Sequence, residues 1–400
     1  MALHSFHIGG CELQLLSLCR EILQHGFEPI ILYSSTKGSF HPKRDGNLQF
    51  FHIPKVFYFT RLIPLYLKFL FGWKLKRLPD LFHCHGYAPF AEQIVEYARD
   101  SNIPTIVKFT TDGEVTSLRR GIENKIKLAD LLSQRSFKRS RLEKYLFGKN
   151  RLSTVLKVDR FVCINPTILS ELLRFPIDRN KLIQIPNGVD VNRFKPVAAA
   201  EKDRIKISLG LSPSVSYILC AARFVERKRI GDLIEAWAAI EAFYPTRELV
   251  LVGDGELRSE LAQLVRKLNI QRRVVFPGMK ESLELYYQSS DLFVFPSSLE
   301  GLPNVILEAM STALPVIATA ISGIQELIQS GVNGVLFTPT DIQGLIASIR
   351  YVFEHPLEAS RMGKAARETI LLNYSFDKIG PRFASFYRNL MSAAFPSSDI

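Results

Sequence analysis

Short apolar runs alternate with amphipathic stretches along most of the chain, as expected of parallel strands buried beneath helices. The first run, over residues 3–8, predicts a strand that enters Gly9-Gly10. A helix is predicted over 12–24, where Leu15, Leu18 and Ile22 fall at helical spacing, and a second strand over 27–33. Strand, glycine turn, helix and strand open a doubly wound α/β domain, and the glycines let backbone approach a ligand at the strand's carboxyl end. Further strands are expected over 80–86, 104–113, 159–165 and 182–190, with helices over 88–100 and 168–174. Residues 197–202 read as a hinge.

The alternation then restarts. Strands are expected over 216–222, 248–253, 274–278, 291–295, 315–319 and 334–337, with helices over 230–242, 282–289, 305–314, 324–330 and 376–391. The pattern therefore predicts two parallel sheets with helices on both faces, in domains 1–196 and 197–375, and a terminal helical segment, 376–396.

The stretch from Pro296 to Met310 holds the most suggestive chemistry. Glu300 follows a strand in a short loop, Asn304 is a candidate N-cap, and Glu308 lies one turn into the next helix. Loop and helix N–H groups between the two acids suit an anion such as a diphosphate, and the carboxylates suit sugar or ribose hydroxyls. A surface loop with two solvated acids fits the same letters.

Charge changes this picture. Residues 1–196 hold 30 Lys and Arg against 17 Asp and Glu, a net +13, whereas the remainder carries −1. Eleven basic and three acidic residues lie within 117–151. Such an excess suits an anionic partner: membrane headgroups, a lipid diphosphate or nucleic acid. Residues 61–77 mix leucines, aromatics and cations as interfacial helices do, although core packing explains the apolar ones equally well.

Five scattered cysteines without a C-x-x-C pair argue against a disulfide framework or zinc site and suit a reducing compartment. The N-terminal residues lack the basic-then-apolar pattern of a signal peptide, and the apolar stretch 56–73 is broken by Arg61, Pro64 and Lys68. A cytoplasmic protein, peripheral on the plasma membrane's inner face at most, is the expectation.

Several chemistries are disfavoured. Gly253-Asp-Gly255 lacks the third glycine of a dinucleotide fingerprint, and no P-loop, H-E-x-x-H or G-x-S-x-G occurs. His83 and His85 share a strand face without a third ligand, so a metal site is disfavoured, although His85 is placed to line a cleft. No Asp-x-Asp offers a divalent ion for a diphosphate, which leaves Arg223 and Lys228, in one loop after a strand, as candidate neutralising cations.

From Gly9 to about Asn389 the chain resembles the family-4 retaining glycosyltransferases of the GT-B fold, two Rossmann-like domains facing across a cleft. The motifs that carry the resemblance are Gly9-Gly10-Cys11-Glu12, Ile185-Pro-Asn-Gly-Val-Asp-Val-Asn-Arg-Phe-Lys-Pro196, Ala222-Arg223-Phe-Val-Glu-Arg-Lys228 and Leu251-Val-Gly-Asp-Gly255. Others are Phe295-Pro-Ser-Ser-Leu-Glu300-Gly-Leu-Pro303, Ile306-Leu-Glu308-Ala-Met310, Pro315-Val-Ile-Ala-Thr319 and Ser330-Gly-Val-Asn-Gly334.

The resemblance implies a transferase that takes a sugar from a UDP- or GDP-sugar to a glycan or lipid-linked acceptor, in bacterial polysaccharide or glycolipid synthesis. It implies that Glu308 binds the donor ribose and Glu300 the donor sugar. Arg223 and Lys228 would hold the diphosphate, with the Gly10, Asn304 and Val305 amides and Gly301 completing the donor site. Glu300, Arg223 and Lys228 are then the catalytic candidates, and His85, Thr110 and Asp112 the acceptor-side ones. No metal or other cofactor and no nucleic acid is implied. The terminal helix would cross back onto the first domain.

Three departures leave the donor sugar open. Thr110, Thr111 or Asp112 stands where many relatives place a histidine, Asn165 replaces a common serine, and Ser322-Gly323 replaces a glycine pair. A non-catalytic sugar-nucleotide or glycan-binding protein on the same scaffold is the alternative, and the intact set Arg223, Lys228, Glu300 and Glu308 argues against it.

Overall fold

A computed structural model describes residues 2–3, 10–33, 47–53, 62–86, 89–110 and 154–394. The chain divides into two units, Met1–Pro186 with Ile379–Ile400, and Asn187–Lys378.

The first unit is built on seven parallel strands: β1 (Ala2–Leu3), β2 (Ile30–Tyr33), β3 (Gln49–His52), β4 (Phe82–His85), β5 (Thr105–Phe109), β6 (Arg160–Cys163) and β7 (Leu182–Gln184). Their spatial order is β3-β2-β1-β4-β5-β6-β7, a doubly wound sheet whose direction of growth reverses between β1 and β4. Strands β4 and β5 are buried at every residue, which explains why their sequences are continuous rather than alternating. Of the strand expected over 3–8, β1 shows the start, and residues 4–9 lie outside the described residues, as does the basic stretch 117–151.

Helix Gly10–Gln24 turns Leu15 and Cys19 onto Ile31 and Tyr33. Helix Pro166–Leu172 starts at Asn165, whose side chain accepts the Ile168 N–H at 2.7 Å, so that asparagine is a working N-cap. Most of the terminal helix, Phe376–Ala394, belongs to this unit. It buries Ile379, Phe383, Tyr387 and Leu390 along one face, with Tyr387 edge-on to Phe27 at 5.5 Å.

The second unit has six parallel strands: β8 (Ser216–Ala221), β9 (Arg247–Val252), β10 (Val274–Gly278), β11 (Leu292–Phe295), β12 (Val316–Thr319) and β13 (Val335–Phe337). The order β10-β9-β8-β11-β12-β13 repeats the doubly wound plan, with its reversal between β8 and β11. Its core includes the fully buried Trp237 with Ile218, Leu233, Leu249, Val294 and Ile349.

Two expectations about domain limits are corrected. The second unit begins at Asn187 rather than 197 because segment 187–196 is fastened to it. Val189 bridges Ser375, Arg193 pairs with Glu284 at 2.7 Å, and Ser311 Oγ donates to the Phe194 carbonyl at 2.5 Å. The expected hinge at 197–202 is largely the start of helix Ala199–Ser208, whose Lys202 pairs with Asp291 at 2.6 Å. Alanines and a Glu-Lys pair are good helix formers, and that propensity prevails here.

Candidate functional site

In the second sheet the connections after β8 and β11 diverge, because later strands extend the sheet in opposite directions from that pair. Loops at the carboxyl ends of such a pair bound a crevice, the usual ligand position in doubly wound folds. Arg223 and Lys228 follow β8, whereas Glu300 and the helix bearing Glu308 follow β11. The topology thus collects residues that the sequence holds some eighty positions apart.

Lys228 and Glu300 form a direct ion pair with little solvent exposure on either side. Arg227 Nη1 lies 3.3 Å from the same Glu300 Oε1, and Ser297 Oγ donates to it at 2.5 Å. Three donors on one oxygen satisfy a buried charge, and they leave Oε2 as the oxygen with acceptor capacity for an incoming hydroxyl. Burial lowers the Lys228 pKa from the ordinary lysine value, against the opposing pull of Glu300. Arg223 differs: its side chain is exposed and makes no hydrogen bond or ion pair among the described residues. Of the two predicted diphosphate cations, one is pre-paired and one is directed to solvent.

Glycines set the position of the Arg223 loop. Gly253 and Gly255 have φ values of +141° and +157°, and a Cβ on either would lie 1.8 Å from the Ala222 carbonyl or 2.5 Å from that of Phe224. The two loops then exchange bonds, with Phe224 N donating to Asp254 O at 2.8 Å and Leu257 N to Phe224 O at 3.1 Å. Gly253-Asp-Gly255 is therefore a backbone interlock, which explains a glycine pair without the third glycine of a dinucleotide fingerprint. Gly323 does the same for the Glu300 loop, since a Cβ there would meet the buried Gly301 carbonyl at 1.7 Å.

The helix after β11 spans Asn304–Ser311, with Pro303 at the N-cap. Asn304 is thus the first helical residue and not the expected cap; its Oδ1 accepts from Asn187 Nδ2 at 2.9 Å, which ties the 187–196 segment to this turn. Val305 follows, and the leading N–H groups of a helix have no carbonyl partner within it. The helix ends before the expected Leu314, and the helix expected over 324–330 is a single turn, Ser322–Gln325.

Half-buried Glu308 has its pKa pushed up to about 7, chiefly by desolvation; Tyr287 and Arg193 pull it down and Glu284 adds to the rise. Tyr287 Oη lies 2.9 Å from Glu308 Oε2 and 3.1 Å from the Val305 carbonyl. The Tyr287 hydroxyl donates to either oxygen, and its bond to the Glu308 carboxylate favours the charged form. Burial outweighs that hydrogen bond, so the net shift is upward.

In the first unit, Gly10 opens the first helix and Thr110 directly follows β5, half-buried; Asp112 lies outside the described residues. His85 ends β4, beside the reversal point of that sheet. Among the described residues, both its ring nitrogens and Nε2 of His83 are buried without a hydrogen-bond partner, while His83 Nδ1 lies 2.6 Å from Tyr387 Oη. Desolvation drives both histidines well below their ordinary pKa, helped by Lys108, which pairs in register with His85. These are neutral imidazoles, and among the described residues no group of three metal-ligating side chains occurs. Nor is any described helix long and apolar enough to cross a membrane.

The sequence reading missed Arg227, Ser297, Tyr287 and Asn187. Arg227 and Ser297 lie inside motifs already singled out and were legible as neighbours of Lys228 and Glu300. Tyr287 carried no such signal, because on its helix it reads as one more core aromatic.

Residues 8–193 match the family model described as Glycosyltransferase Family 4, and residues 201–369 match Glycosyl transferases group 1. A lipopolysaccharide core biosynthesis glycosyltransferase of Rhizobium meliloti (strain 1021) is 32% identical over 244 residues, 61% of this chain and 67% of the relative. Three further curated relatives are matched over 55 to 63% of their own length. Among solved structures, the sucrose-phosphate synthase of Thermosynechococcus elongatus superposes with a TM-score of 0.77 at 22% identity, covering 98% of this chain and 99% of that one. Anabaena HepE in complex with UDP and glucose gives 0.73 at 18% identity, over 97% and 99%. Two tandem family matches and a shared doubly wound architecture converge: the chain belongs to the family-4, group-1 glycosyltransferases of the GT-B fold.

Proposed function

We propose that the protein transfers a sugar, with retention of configuration, from a UDP- or GDP-sugar to a glycan or lipid-linked acceptor. The observation that carries this reading is the Lys228–Glu300 pair at the β8/β11 reversal, with Oε2 of Glu300 still able to accept. Glu300 Oε2 takes a donor-sugar hydroxyl, and Glu308 takes the ribose hydroxyls. Exposed Arg223 and the leading amides at Asn304 and Val305 take the diphosphate, with Lys228 fixing Glu300 and adding positive charge beside it. HepE's capture with UDP and glucose supports a uridine donor, and the Rhizobium relative's name supports cell-surface glycolipid synthesis at the cytoplasmic membrane face.

In the reaction the anomeric C–O bond to the diphosphate breaks while the acceptor oxygen bonds to the same face of that carbon. The acceptor proton passes to the departing phosphate oxygen. Negative charge grows on the leaving group, so Arg223→Ala lowers kcat by about 10²-fold with a smaller effect on KM. The protein supplies that charge through side chains, and metal is not required.

The test is a screen of UDP- and GDP-sugars that follows nucleotide release with and without EDTA. Release from one donor class, unchanged by EDTA, is the expected result. Donor binding without turnover under any acceptor would favour a sugar-nucleotide-binding protein, and strong EDTA inhibition would overturn the metal-free mechanism.

A further inference from the structure

Residues 62–78 contain no Asp or Glu. They form helix Ile63–Lys68, which passes directly into a π-helical turn, Phe69–Lys74. One face is anchored in the first unit: Ile63, Leu67, Leu70 and Phe71 are buried, Phe71 packs edge-on to Phe82, and Tyr66 Oη donates to the His52 carbonyl at 2.9 Å. The other face is exposed. Leu65 is 63% exposed, Phe69 49% and Trp73 73%, with Leu62 and Leu78 also exposed at the two ends.

Residues four apart drift by about 40° around an α-helix. The wider π turn reverses that drift, so Leu65, Phe69 and Trp73 stay in line, and the Phe69 and Trp73 rings lie 5.3 Å apart. Lys68, Lys74 and Lys76 are exposed alongside, Lys74 with its ammonium 5.0 Å over the Phe51 ring, whereas Arg77 is engaged by Glu28 and Asp80.

An in-line apolar stripe bordered by lysines, with no acid on the segment, matches a surface that enters a lipid interface and meets anionic headgroups. The +13 charge of residues 1–196 favours the same occupant. A second copy is disfavoured, because an isologous contact would bring the same lysines together. We propose that this face docks on an anionic bilayer, with Leu65, Phe69 and Trp73 entering the interface and Lys68, Lys74 and Lys76 contacting phosphates. The proposal deepens the lipid-linked acceptor reading by naming the surface that would meet the acceptor's membrane.

The chain offers its own probe. It has two tryptophans, and Trp237 is fully buried, so a change in emission on adding vesicles reports Trp73. The full chain is titrated with phosphatidylcholine vesicles with and without phosphatidylglycerol. A blue shift and quenching by brominated lipid are expected with the anionic vesicles, weakened by salt. In sedimentation, Phe69→Ser/Trp73→Ser is expected to lower vesicle affinity by about tenfold or more, and Lys68→Gln/Lys74→Gln/Lys76→Gln to flatten the salt dependence. Unchanged emission at low salt, or unchanged sedimentation of the Phe69→Ser/Trp73→Ser variant, overturns the proposal. A blue shift driven by protein concentration without lipid overturns it in favour of a second copy. UDP binding, measured by calorimetry on the same proteins, shows that the variants fold. It also keeps failure at the membrane separate from failure of the donor site.

Discussion

The two sheets reverse direction at corresponding places, between β1 and β4 in one and between β8 and β11 in the other, yet they end in opposite electrostatic arrangements. The first closes β4 with His83 and His85, both buried and both held neutral. The second carries a full charge pair, Lys228 with Glu300, supported by Arg227 and Ser297. A buried ionised group needs nearly every lone pair and proton engaged, whereas a buried imidazole can discard its proton and tolerate an unsatisfied nitrogen at smaller cost. The same topology therefore maintains a buried ion pair in one sheet and, in the other, two neutral imidazoles beside the buried Lys108. In the proposed enzyme, the charged site sits where the diphosphate leaves.

The sharpest way to break this comparison is to remove one partner of the pair. Glu300→Leu leaves Lys228 buried without its anion and is expected to cost about 3–5 kcal/mol, read from urea unfolding. Lys228→Met/Glu300→Leu is expected to recover to within about 1 kcal/mol of the parent while remaining at least 10²-fold less active, on the order expected for loss of transition-state electrostatics. Equal instability of the single and double variants would show that the pair does not act as a unit.

The histidine end predicts a pH effect of intermediate size. Burial, with His83 and then Lys108 adding to it, disfavours protonated His85 in the native state, while the unfolded chain protonates near its ordinary value of 6.5. Stability from this group is therefore complete above that pH and is lost as pH falls, by about 1.4 kcal/mol per unit. His85→Leu removes both buried ring nitrogens and is expected to flatten the fall in urea midpoint between about pH 7 and 5.

The smallest effect is on nucleotide affinity. Burial raises the Glu308 pKa to about 7, and in the proposed enzyme its carboxylate form accepts the ribose hydroxyls, so UDP is expected to bind more tightly as pH rises through that value. The gain is up to about tenfold per pH unit below the midpoint, read by calorimetry, and Glu308→Gln removes it. Without UDP the sign is opposite: the native state retains a proton that the unfolded chain loses at 4.5, so this group's stabilisation declines between 4.5 and about 7. Tyr287→Phe deletes the hydrogen bond that lowers the Glu308 pKa, so the affinity midpoint should move upward.

Strand positions were largely readable, since parallel strands buried on both faces, such as β4 and β5, are marked by continuous apolar runs. The membership of segment 187–196 was not, because Arg193–Glu284 and Ser311–Phe194 are long-range contacts without a local pattern. Glu300 and Glu308 stood out by spacing and by resemblance. Tyr287 did not, because its function depends on a hydroxyl meeting a carboxyl 21 residues away. The cap position falls on Pro303, and the Asn304 side chain, one residue inside the helix, accepts from Asn187, a long-range contact without a local pattern.

The loop that carries Arg223 is held at both ends. Its start is interlocked with Gly253 and Gly255, and near its end the Arg227 carbonyl accepts from Ser298 N and from the Ser297 and Ser298 hydroxyls at 2.8 to 3.1 Å. A segment pinned in this way is a poor gate. In the proposed enzyme, capture of the diphosphate there should follow side-chain rotation of Arg223, on the picosecond-to-nanosecond scale of exposed residues, without waiting for slower loop closure. In hydrogen exchange, the Phe224 amide, bonded to Asp254, should be protected equally with and without UDP.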